Sequence, residues 1–69
     1  MNKDEVLERL AEVEHEQWMA WSQSVAAEVS AERRQRWQAC WVPYGDLPEE
    51  MKEQDRIWAR KVLETLRRS

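Results

Sequence analysis

Residues 41–48 read Trp-Val-Pro-Tyr-Gly-Asp-Leu-Pro, and this octapeptide holds the only glycine and both prolines of a 69-residue chain. Glycine and proline are the strongest local breakers of regular structure. Confining them to one place leaves the flanks free to be continuous, and neither flank shows the apolar/polar alternation of a half-buried strand. The sequence therefore predicts an all-α fold: one small three-helix domain over residues 1–69, with a Pro-Tyr turn between the second and third helices.

Working outward from the turn, Leu47-Pro48 opens a third helix, because proline suits a first helical turn. It should run to about Arg67, with Arg67 and Arg68 near the negative end of the helix dipole. Upstream, Ser30 is a good cap for a second helix reaching roughly Trp41. Asn2, with Glu5 three residues on, forms a capping-box pattern for a first helix extending to about Val29.

At about 100° per residue, Val6, Leu7, Leu10, Val13, Trp18, Trp21 and Val25 share one side of the first helix. Met51, Trp58, Ala59, Val62, Leu63 and Leu66 share one side of the third, and Trp37 and Trp41 stack on the second with Cys40 beside them. Two carboxylates interrupt these faces: Glu14 on the first helix and Asp55 on the third. A buried carboxylate needs a partner. The available ones are Arg33, Arg34, Lys52 and Arg56, with the Tyr44 hydroxyl or an indole N–H as further donors.

Composition narrows the function. Eleven basic against 14 acidic residues leave a net charge of −3, which argues against a sequence-independent grip on nucleic acid. The single cysteine cannot close an internal disulfide, as befits a reducing compartment. MNKDEVLERL carries no apolar run that would make a signal peptide or a membrane span, so the expected location is the cytoplasm. Five tryptophans and no phenylalanine are an odd recipe for a plain core, since flat rings with an N–H suit stacking on a ligand or on a second copy of the chain. A homo-oligomer is expected on the same ground.

His15 is the only histidine, and HEQW lacks the second histidine of a helical zinc-protease motif. With no Ser or Cys nucleophile at a recognisable spacing, neither a catalytic pair nor a metal or cofactor site is expected. A histidine at the edge of an apolar face is expected to form hydrogen bonds at the solvent boundary. Arg33-Arg34-Gln35-Arg36-Trp37, with Trp41, sets guanidinium groups and indoles beside a helix N-terminus, a combination able to bind phosphate and stack a base.

Pro43-Tyr44 is followed by Leu47, Lys52, Asp55, Arg56 and Ala59 in a PYxxLxxxxKxxDRxxA pattern, and His15-Glu16 with Trp18 forms an HExW upstream. In this order and spacing the two motifs resemble the ryanodine-receptor-type (RyR) repeat domain. The resemblance is to its compact microbial form, because receptor versions carry a longer segment between the motifs. It implies a helical fold and, for microbial members, sensing or capture of nucleotide-derived ligands; for phage-encoded members it implies sequestration of a host immune signal. The expected site is a cleft between the first helix, the third helix and the Pro-Tyr turn. It is built from His15, Trp18, Tyr44, Asp55 and Arg56, with Trp41, Arg33 and Arg34 in support. Asp55 would accept from a ligand hydroxyl or amino group, or else from Tyr44 and the backbone of the turn.

Overall fold

The computed structural model describes residues 2–68. Among these lie three helices and no strand: α1 (Lys3–Ser24), α2 (Ala31–Gln38) and α3 (Glu49–Arg68). Short 3-10 turns at Ala26–Glu28 and Tyr44–Asp46 make the connections. The all-α three-helix reading is therefore correct, and two of its helix starts are reproduced in atomic detail. The side chain of Asn2 accepts from the Glu5 amide at 2.8 Å, and that of Ser30 accepts from the Arg33 amide at 3.1 Å.

Two helix ends differ from expectation. The first helix stops at Ser24 instead of Val29, for a reason that lies ten residues downstream. Arg34 turns back and donates to the carbonyls of Ala26, at 2.9 Å, and Val29, at 3.3 Å, satisfying acceptors that a broken helix leaves open. Ser24 adds a hydroxyl bond to the Trp21 carbonyl at 2.6 Å, a local competitor of the helical ladder. The second helix stops at Gln38 instead of Trp41. Beyond it the Trp41 indole N–H reaches the buried Ser22 hydroxyl at 2.9 Å, and Val42, preceding a proline, is disfavoured in helical geometry.

The two long helices run antiparallel. Lys3 and Leu7 share a hollow with Leu63 and Arg67, whereas Trp18 lies beside Met51 and Asp55. At their crossing Ala11 and Ala59 are fully buried, and with only a methyl on each side the two backbones approach closely. Tyr44 and Leu47, from the turn, complete the core, backed by Leu7, Leu10, Cys40, Val42 and Met51. The tryptophans that the helical wheels place on the apolar faces stay outside this core. None of the five indoles is buried, and Trp21 and Trp58 are 55% and 56% exposed. The shorter α2 keeps its backbone away from both long helices and meets α1 through Trp37, which packs against Trp18 and Trp21. The chain is a slab measuring 41 × 24 × 15 Å.

Candidate functional site

Two side-chain systems flank the hairpin, and Tyr44 and Asp55, which the sequence reading pairs, fall into different ones. Tyr44 donates its hydroxyl to Glu8 Oε2 at 2.6 Å. Arg56 donates to Glu8 Oε1 at 2.6 Å and to Glu49 at 3.1 Å. Glu8 is thus the acceptor at the centre, tying α1 to both the turn and α3. The hydrogen bonds from Tyr44 and Arg56 hold its carboxyl below the ordinary carboxylate value. Burial, followed by the adjoining carboxylate, pushes the Tyr44 hydroxyl up to about 12. Lys52 pairs with Glu49 at 3.5 Å. These groups are engaged with one another and staple the turn to the hairpin.

The other system is a groove of about 360 Å³ between α1, α2 and the N-terminal half of α3, within the size range of small-molecule sites. Trp18 and Trp37 stand edge to face in its wall, their ring centroids 6.1 Å apart with planes at 80°. His15 stacks on Trp18 at 5.9 Å and 20°. Asp55 and Gln54 contribute from α3, and Arg36 stands at the exposed edge. A second hollow of about 350 Å³ adjoins this one, sharing Trp18, Gln54 and Asp55 and adding Glu14, Trp21 and Trp58.

His15 is buried, with 3% of its surface exposed, so it is not the solvent-edge residue expected from its wheel position. Its Nε2 lies 2.7 Å from the Val42 carbonyl, and its Nδ1 lies 3.8 Å from Asp55 Oδ2. None of the cations expected to neutralise Asp55 or Glu14 reaches them, because Arg34 serves the backbone and Arg56 and Lys52 serve Glu8 and Glu49. The Asp55 side chain is 18% exposed. Burial raises its pKa above the ordinary value, the charge on Glu14 adds to this, and His15 opposes it.

No family model, curated protein or solved structure matches this chain.

Of the eight residues expected at the site, the structure brings His15, Trp18 and Asp55 together on the groove. Tyr44 and Arg56 belong to the Glu8 staple, and Trp41 lies across α1 with Val42 and Tyr44. Arg34 holds the 3-10 turn, and Arg33 is exposed outside the groove's lining. Arg36, from the same basic run, is the arginine on the groove, together with Trp37. Glu8 carries no sequence signal, since its partners lie 36 and 48 residues away.

Proposed function

We propose that this chain captures a small nucleotide-type molecule in the groove between its three helices and holds it without turnover. The observation that carries the reading is the meeting of Trp18 and Trp37 above the half-buried Asp55, with Arg36 at the rim. Indole faces stack on a planar base, a desolvated carboxylate accepts from its donors, and a guanidinium at the mouth pairs with phosphate. The larger hollow at the free ends of α1 and α3, about 510 Å³, has no aromatic wall, and its Arg60 is already bound to Glu53 at 2.7 Å. The likeness to RyR-type domains implies the same ligand class. Calorimetry against adenine nucleotides, ADP-ribose derivatives and cyclic oligonucleotides tests the proposal. Heat of binding that disappears in Trp18→Ala and Trp37→Ala supports it, and silence across the panel from a folded sample refutes it.

A second reading, self-association, is favoured by the stripe that Trp58, Val62 and Leu66 form along α3, with Trp21 beside it on α1. These side chains expose on the order of 400 Å² of apolar surface, the size at which a patch marks an interaction site. It is about half of what a standard interface buries per partner. Sedimentation equilibrium of Trp58→Lys distinguishes the readings: loss of a dimer with ligand binding intact assigns the stripe to association alone.

A further inference from the structure

The Val42 carbonyl, 2.7 Å from Nε2 of His15, only accepts, so Nε2 must carry the ring's proton. In the neutral imidazole Nδ1 is then a bare acceptor. It faces Oδ2 of Asp55 across 3.8 Å, too long for a direct hydrogen bond. With the ring neutral, two acceptors confront each other from neighbouring helices, beside the indole of Trp18, which lies nearly parallel to the imidazole at 20°. Such a pair is completed by a group that donates twice. Acceptors 3.8 Å apart can both lie about 2.9 Å from a single nitrogen, and an amino group on a flat ring directs its two N–H bonds apart in the ring plane.

From the facing acceptors His15 Nδ1 and Asp55 Oδ2, we infer that the groove selects planar heteroaromatic rings bearing an exocyclic amino group and refuses their oxo counterparts. This rests on the reading of the groove as a nucleotide-type site and adds the feature of the base that it recognises. A ring carbonyl in place of the amine would point a third acceptor at the two already present, and unpaired acceptors in a confined site are strongly disfavoured. A ribose hydroxyl offers one hydrogen, enough for one acceptor only. Arg36 at the rim sets a positive charge at the mouth, which selects against an organic cation and for a neutral amino-bearing ring with an anionic tail.

The test is titration calorimetry of the full chain with ADP, IDP, CDP and UDP, which differ in pairs by amino against oxo and by the proton that the oxo form carries on the adjacent ring nitrogen. The expected result is binding at least about tenfold tighter for ADP than for IDP, with CDP favoured over UDP in the same sense. Asp55→Asn, which offers an amide donor where the carboxylate accepted, should erase or invert the preference while far-UV circular dichroism stays helical; Asp55→Ala should erase it. Equal affinities for ADP and IDP in the unaltered protein overturn the inference and leave the capture reading standing. No binding of any of the four to a folded sample overturns both. Nitrogen-15 correlation spectra of the sole histidine give an independent check. A ring protonated on Nε2 alone supports the acceptor pair, and a doubly protonated ring at the assay pH overturns it.

Discussion

Replacing Glu8 by alanine should destabilise the protein more than a half-exposed surface acid normally would. The carboxylate receives the Tyr44 hydroxyl and the Arg56 guanidinium, each at 2.6 Å, and Tyr44 is 7% exposed. Hydrogen bonds to charged groups contribute roughly 1.5–3 kcal/mol. Glu8 keeps 43% of its side chain in water, so solvent screening sets the pair at about 2 kcal/mol in total. For a domain of this length roughly 4–8 °C of melting temperature accompanies each kcal/mol, so Glu8→Ala should melt about 8–16 °C lower. Tyr44→Phe should lose about half as much, and Glu8→Gln, which still accepts, a similar amount.

The pH profile supplies the sign. The folded pKa of Glu8 lies below its ordinary 4.5, so its contribution is present above pH 4.5 and is lost as pH falls through the lowered value. The folded pKa of Tyr44 is raised from 10.0 to about 12, so its contribution is complete below pH 10 and disappears as pH rises through 12. Glu8→Ala should flatten the acid arm and only shrink the alkaline one, because burial outweighs Glu8 in raising Tyr44. Tyr44→Phe should remove the alkaline arm. Denaturant melts followed by circular dichroism, combined into a double-mutant cycle, measure the coupling. A coupling energy indistinguishable from zero would refute the role of Glu8 as the staple of the turn.

Asp55→Asn should raise the melting temperature by a few degrees while erasing or inverting the preference for ADP over IDP. A carboxyl whose folded pKa is raised favours the fold when protonated and opposes it when charged, and the substitution removes that opposition. Ser22→Ala strips the Trp41 indole of its acceptor and should cost about 1–2 kcal/mol in denaturant melts. Arg34→Ala should loosen the link after α1, read as faster amide exchange of Val25–Arg33, because the carbonyls of Ala26 and Val29 lose their donor.

How far the sequence carries the fold depends on the range of the interactions involved. Helix starts were legible because Asn2 and Ser30 act on amides three residues away. Two helix ends were not, since Arg34 reaches back eight residues and Trp41 nineteen to set them. The wheel picks out Asp55 correctly as a carboxylate on an apolar face, but its neighbour across the groove is His15, not Tyr44. Periodicity also sets the tryptophans on the apolar faces without deciding between core and interface, and none of them is buried. Counting apolar positions shows which side of a helix faces inward. It does not show that Ala11 and Ala59 bring the helices too close for indoles to enter between them.

That exclusion of the indoles has a spectroscopic consequence. Tryptophan emission shifts to longer wavelength as rings move from apolar surroundings into water, and here Trp21 and Trp58 are already more than half in water in the native state. Unfolding should therefore leave the emission of these two rings nearly unchanged. Trp18 and Trp37, close enough to couple, should respond to a stacked aromatic guest. The emission of Trp21 and Trp58 is thus a weak gauge of folding, and that of Trp18 and Trp37 a direct gauge of what enters the groove.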